Sequence, residues 1–338
     1  MLYVSLGGVF LKMDKVKISD IAKELGISTI SVSRALSGQV GVGEELRNKI
    51  LNKAKEMGYF KVKNNEDIKI LVLHQKPFVH DTSNYSLKVQ GIEKAIQKIG
   101  CEYDLEFVDK DHQEELYMPY KIQKGSNFDG IIFIGRFNSK YVNFISSKIK
   151  NQVFYTGYSP SFDCDSVWYN FNNGGYKQCE YLIKKGHTRI GFLGNSSVYK
   201  NKEKVLGITS ALEDYELPIR NEFFIYEENF EEKILSLLNS KEAPTAIICQ
   251  WDYTAIKLIK FLYDNGIKVP DDISIVGSGN TEMSSLSIPA LSTLELNIDY
   301  ACEIALSLLL KRIANTEKPY ENITINSVLV ERESVKNI

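Results

Sequence analysis

The strongest constraint on this chain is the alternation, from residue 68 onward, of short β-branched apolar runs with amphipathic helical patterns. Strand-like runs occupy 68–73 (IKILVL), 103–108 (YDLEFV), 130–134 (GIIFI), 152–156 (QVFYT), 190–193 (IGFL), 245–249 (TAIIC) and 273–276 (ISIV). Helical periodicity lies between them, as in Tyr85–Ile99, Gly174–Lys185, Tyr253–Asn265 and Tyr300–Ala314. Runs that are apolar along their whole length suit strands buried on both faces, so the pattern predicts parallel sheets sandwiched by helices. Two similar halves divide near Ser166. Each reads as a doubly wound lobe, with ligands bound at the carboxyl ends of its strands and in the cleft between lobes.

Ahead of this α/β body lies a module of different character. In residues 17–28 (KISDIAKELGIS), Ile18, Ile21, Ala22 and Leu25 fall on one helical face, and Ser19 is read as the N-cap. Gly26 ends this helix, because glycine accepts the left-handed backbone a tight turn needs. Ser28 caps a second helix, Thr29 to Leu36, with Val32, Ala35 and Leu36 inward. A third helix, about Glu44 to Met57, is expected to bury Leu46, Ile50, Leu51 and Ala54. Two short helices joined by a glycine turn and packed on a third make a helix-turn-helix. Its second helix enters the major groove N-terminus first. Arg34 can donate a bidentate pair to a guanine edge, and Thr29 and Ile30 can meet base edges, including a thymine methyl. Ser28, Ser31 and Ser33 offer short hydroxyls to phosphate oxygens.

Charge agrees with that division. Residues 13–63 hold 10 Lys/Arg against 6 Asp/Glu, a net +4, so the remainder of this −2 chain carries −6. A basic module on an acidic body predicts a polyanionic partner for the module alone. The five cysteines are scattered, with neither disulfide nor zinc spacing, which suits reduced thiols in the cytoplasm. No run approaches the ~20 apolar residues of a membrane helix. Residues 2–11 (LYVSLGGVFL) imitate the apolar part of a signal peptide but lack a basic start and a small-residue cleavage site. Met13 is read as an alternative start, and residues 1–12 are given no function.

Residues 17–36 (KISDIAKELGISTISVSRAL), with the MGY at 57–59, resemble the helix-turn-helix of the LacI/GalR family of bacterial repressors. The resemblance runs on through GIEKAI at 91–96, FDGIIFIG at 128–135, YLIKKGHTRIGFLG at 181–194, PTAIIC at 244–249, NGIKVPDDISIVG at 265–277, PALSTLE at 289–295 and the closing ERES. It implies a lambda-repressor-like three-helix domain over 15–60 and a linker over 61–67. It also implies an effector-binding body over 68–338, similar to periplasmic sugar-binding proteins. The N-lobe is expected over about 68–165 plus 293–322, and the C-lobe over about 166–292 plus 323–338. A homodimer on operator DNA, released by a small sugar, is the implied mechanism. One departure concerns the hinge: Gly58-Tyr59 is followed by FKVKNNED, without the family's Ala-Arg-x-Leu stretch, so a minor-groove leucine wedge is not expected. Lys61 and Lys63 remain as phosphate contacts.

The effector pocket departs further. The family arginine that contacts sugar hydroxyls matches Lys204, the Asn-Asp pair matches Trp251-Asp252, and the Gly-x-Asp turn reads Gly277-Ser278-Gly279-Asn280. The Asp-Asn after the lobe crossover reads Asn170-Phe171, and Tyr85 keeps an aromatic at the mouth of the first helix. Tyr85, Phe171 and Trp251 can stack on a pyranose, while Arg136, Lys204, Asp252 and Asn280 can bond its hydroxyls, a mix typical of ligand pockets. The opening and short hinge look similar to galactoside-responsive regulators. A nucleobase co-repressor site on the same fold, or a periplasmic sugar-binding protein, are the alternatives.

No enzyme reading survives inspection. GSGNTE at 277–282 lacks the third glycine of a dinucleotide fingerprint, and there is no phosphate-binding Gly-Lys-Ser/Thr loop and no Gly-x-Ser-x-Gly elbow. His74, His80, His112 and His187 lack metal spacing, and His187 is read as structural. No cofactor, metal or catalytic residue is expected.

Overall fold

Where apolar runs are separated by helices, their strands can pair only in parallel, and the structure is built on that rule. The computed structural model describes residues 5–6, 9–10, 16–37, 41–57, 65–76, 85–157, 163–195, 199–226 and 230–338. Two short strands, β1 (Ser5–Leu6) and β2 (Val9–Phe10), pair antiparallel at the start. The helical module follows: α1 (Ile18–Leu25), α2 (Thr29–Ser37) and α3 (Glu44–Glu56). The first lobe contains β3 (Lys69–Gln75), α4 (Tyr85–Ile99), β4 (Glu102–Val108), α5 (Lys110–Glu114), α6 (Tyr120–Gln123), β5 (Gly130–Ile134), α7 (Ser139–Ser146), β6 (Gln152–Tyr155) and β7 (Asp165–Tyr169). The second contains α8 (Phe171–Lys184), β8 (Ile190–Leu193), α9 (Tyr199–Asp214), β9 (Phe224–Ile225), α10 (Glu231–Leu238), β10 (Ala246–Cys249), α11 (Asp252–Asp264), β11 (Ser274–Val276) and α12 (Glu282–Leu286). The chain then crosses back through β12 (Thr293–Glu295) to α13 (Ile298–Ala314) and β13 (Asn322–Ile325), and returns through β14 (Val328–Val330).

The first sheet has six parallel strands in the order β13-β7-β6-β5-β3-β4, and the second has four in the order β11-β10-β8-β9. β12 and β14 pair antiparallel between them. The expected division near Ser166 is corrected by this pairing. Residues 165–169 form a strand of the first sheet, in register with β6 and β13, so the first crossover comes at Asn170. Residues 322–325 likewise belong to the first sheet rather than the second lobe. The crossovers are tied together: Asn170 Nδ2 donates to Asn326 Oδ1 at 3.0 Å, and Asn297 Nδ2 donates to the Asn326 carbonyl at 3.5 Å.

The first sheet buries Ile70, Val72, Ile132 and Ile134 against α4 and α13 on one face, and Leu71, Leu73, Ile131 and Phe133 against α7 on the other. Consecutive residues thus face opposite layers, as strand geometry requires. At one end of the sheet Arg312 and Lys318 converge on buried Asp165, at 2.8 and 2.6 Å, and hold its carboxyl below the ordinary range despite burial. His187 is structural, as read: Nδ1 lies 3.0 Å from Thr245 Oγ1 and Nε2 lies 3.2 Å from the Lys336 carbonyl. All five cysteines are buried free thiols. Among the described residues no helix is long and apolar enough to cross a membrane.

Candidate functional site

The helical module forms around Ile21, Val32 and Ile50, all fully buried, with Ala22, Ala35 and Ala54 closing the contact. Burying each of the three large side chains favours the fold by about 1.5–3 kcal/mol. Two expectations change here. Leu46 and Leu51 lie on the outer side of α3 and are exposed, because the face through Ile50 and Ala54 alone meets α1 and α2. Ser19 is not the cap of α1. The helix begins at Ile18, and the Asp20 carboxylate accepts the Lys17 N–H at 2.7 Å, half of a capping box shifted two residues back. Gly26 ends α1 at φ 63°, as its turn requires.

Ser28 does cap α2. Its Oγ accepts the Ser31 N–H at 3.1 Å and lies 2.9 Å from the Ser31 hydroxyl. That hydroxyl pair fixes the first turn, the end that points into a groove. From it Thr29, Ile30, Ser33 and Arg34 project on one outward face and, with Ile18, line a shallow concave surface. Ile30 is 62% exposed, an apolar side chain spent on solvent in a module with few to spare. An exposed isoleucine between hydroxyls and a guanidinium matches a base-reading surface better than a packing face. Ser31 is half-buried beside the cap, so it supports the turn more than it faces outward. Gly58, Tyr59, Lys61 and Lys63 of the shortened hinge lie outside the described residues.

In the body the candidate pocket residues gather at the carboxyl ends of the strands. Phe171 begins α8 directly after the first crossover; its ring meets Tyr169 edge-on at 6.0 Å and Trp251 edge-on at 6.1 Å. Trp251 follows β10 and leads into α11. Lys200 and Lys204 come from the first turns of α9, each with its ammonium 5.4 Å from the Trp251 ring centre. Gly175 makes this arrangement possible: a Cβ there would stand 2.1 Å from the Lys204 carbonyl oxygen, so only glycine lets α8 and α9 cross so closely. Lys204 is buried to 1% exposure, and its Nζ donates to the Gln250 carbonyl at 2.9 Å. Burial lowers its pKa to about 7, against the pull of Asp252.

Two candidates carry a different task from the one expected. Asp252 is fully buried, and its oxygens are taken by the protein: one accepts the Thr281 N–H and hydroxyl at 2.7 and 3.0 Å, the other the Thr293 hydroxyl at 2.5 Å. It organises the loop after β11 rather than facing the cleft. Asn280 sits in that loop at φ 46°, donates to Glu295 at 2.7 Å and accepts from Arg332 at 2.6 Å. With Gly279, Glu295, Asn297 and Leu87 it lines an open cleft of about 470 Å³, within the range of small-molecule sites. Arg136 follows β5 and is exposed; its backbone N–H donates to Gln75 Oε1 at 2.8 Å. Because β3 and β5 are neighbours whose connections leave in opposite directions, Arg136 stands at the topological switch point of the first sheet. Tyr85 begins α4; its side chain lies outside the described residues.

The sequence reading missed a second aromatic pair. Trp168, at the end of β7, stacks on Tyr199, the first residue of α9, at 5.8 Å and 9° between planes. An aromatic at the carboxyl end of a strand was the available signal, but its partner 31 residues on was not visible as such. Among the described residues no group of histidine, cysteine or carboxylate side chains is arranged to hold a metal.

Two family models match the chain: "Bacterial regulatory proteins, lacI family" over residues 17–61, and a periplasmic binding protein-like domain over residues 179–335. The HTH-type transcriptional repressor PurR of Mannheimia succiniciproducens is 26% identical over 337 residues, covering 95% of this chain and 99% of that protein. Among solved structures, a LacI family regulator from Enterococcus faecium with bound ribose superposes with a TM-score of 0.65 at 21% identity, covering 79% of this chain and 99% of that one. The lac repressor dimer bound to operator and the anti-inducer ONPF gives a TM-score of 0.65 at 19% identity, covering 96% and 100%.

Proposed function

The chain belongs to the LacI family of bacterial DNA-binding transcriptional regulators, and from that premise we propose that it is a cytoplasmic repressor released from its operator by a small sugar. The observation that carries the DNA half is the outward face of α2, where Thr29, Ile30, Ser33 and Arg34 surround an isoleucine 62% exposed. A homodimer sets two such faces on a pseudo-palindromic site, one or two helical turns apart. Phosphate contacts supply much of the affinity and make it salt-dependent.

The effector half rests on the wall formed by Phe171, Trp251, Lys200 and Lys204, opposite Arg136 at the first lobe's switch point. Aromatic faces hold the apolar side of a pyranose while cationic and amide groups bond its hydroxyls. The ribose held by the Enterococcus faecium regulator is a sugar on the same fold. A galactoside is the first sugar to try. Closure of the lobes on a ligand turns the first lobes of a dimer against one another and changes the spacing of the DNA readers. The coupling is reciprocal, and such couplings are worth ~1–3 kcal/mol.

A second reading, a planar nucleobase acting as co-repressor, is favoured by the parallel Trp168–Tyr199 stack, a geometry that heterocycles share. Titrating operator-bound protein with neutral sugars and purines separates the two. A sugar that weakens operator binding supports the induced repressor; a purine that strengthens it replaces that reading.

A further inference from the structure

We infer that the effector is an acidic sugar, a small polyol carrying a carboxylate or phosphate, gripped by the ammonium groups of Lys204 and Lys200. This rests on the sugar-responsive reading above. The first observation is how Lys204 is held. It is buried to 1% exposure, yet its Nζ makes one hydrogen bond among the described residues, to the neutral Gln250 carbonyl at 2.9 Å. An ammonium has three hydrogens to donate, and a buried charge is ordinarily paired with an opposite one.

The carboxylate that acts on it, Asp252, is committed elsewhere. Its two oxygens accept from Thr281 and Thr293. Lys200 adds a second positive charge rather than relief. It lies one helical turn before Lys204, on the same face of α9. Both ammonium groups stand 5.4 Å from the Trp251 ring centre, and Lys200 stands 5.8 Å from that of Phe171. Lys200 repels Lys204 and, with burial, holds its pKa down. Two like charges therefore converge on one aromatic wall at the carboxyl end of β10, where ligands of such sheets bind. A neutral sugar leaves that repulsion in place. An anionic group accepting from both removes it, and charge-assisted hydrogen bonds are roughly twice as strong as neutral ones. The aromatic rings remain available to the sugar's apolar face.

The test uses the full-length protein, followed by the fluorescence of its two tryptophans. Glucuronate, galacturonate and a hexose phosphate are titrated beside their neutral parent hexoses at equal ionic strength. One acid is expected to bind about ten-fold or more tighter than its parent. The uronates and the phosphate ester distinguish which anion is meant. Lys204→Met and Lys200→Gln should each erase the preference for the acid while leaving the neutral parent's binding unchanged. A parent hexose that binds as tightly as its acid overturns the inference and leaves the sugar reading standing. So does discrimination that persists in both variants, shown to be folded by circular dichroism. If a variant fails to fold, the wild-type ratio of acid to parent decides. Binding by a purine with none by any sugar overturns both readings.

Discussion

Asp252 holds Thr281 by two donors at once, the backbone N–H at 2.7 Å and the hydroxyl at 3.0 Å, both to the same carboxylate oxygen. The grip fixes the turn in which Asn280 adopts its left-handed backbone, so the carboxylate shapes one edge of the cleft without facing it. Replacing it strands three buried donors. Asp252→Ala should lower unfolding stability by about 2–4 kcal/mol, read from urea midpoints. Unchanged stability with lost effector binding would instead make Asp252 a direct ligand contact.

The two roles within α2 should separate cleanly. Arg34→Ala is expected to weaken operator binding by about 1–3 kcal/mol and to leave effector binding and stability alone. Ser28→Ala removes the cap on the Ser31 N–H and should cost about 1 kcal/mol of helix stability. Thermal melts and operator titrations of both variants decide. Equal loss of stability in both would mean that Arg34 packs rather than reads.

His74 supplies a pH signature. It is 5% exposed near the end of β3, and burial lowers its pKa from 6.5 to about 4. The unfolded chain therefore takes up a proton that the native chain refuses. The stability this residue contributes is complete above its ordinary 6.5 and is lost as pH falls toward about 4. Between pH 7 and pH 5 the loss should reach about 2 kcal/mol, and His74→Gln should abolish that component. An identical acid sensitivity in the variant would assign the effect to other groups.

Much of this was legible in the chain itself, and the rest fails for identifiable reasons. The seven apolar runs and the four longest body helices stand out because strand and helix periods differ and each element is bounded by turn residues. The strand at 165–169 was hidden because its partners in β13 lie about 156 residues away, and no local pattern encodes a long-range register. Leu46 and Leu51 were put on the inner side of α3 because they are apolar; the face chosen by α1 and α2 runs through Ile50 and Ala54 instead. For the pocket, identity was visible but occupation was not. Asp252 reads as a ligand group until Thr281 and Thr293, 29 and 41 residues on, claim its oxygens. Lys204 reads as a weak substitute for an arginine until its burial and the nearness of Lys200 give it a charge to satisfy.

The account stands or falls on whether one molecule reads DNA with α2 and senses a sugar with its cleft. The direct measurement is fluorescence anisotropy of the full-length protein on a duplex from its own gene's upstream region, at two salt concentrations, with and without neutral sugars, acidic sugars and purines. The account predicts sequence-specific, salt-dependent binding that one sugar weakens. Specific binding that no sugar alters, or that a purine strengthens, would contradict it.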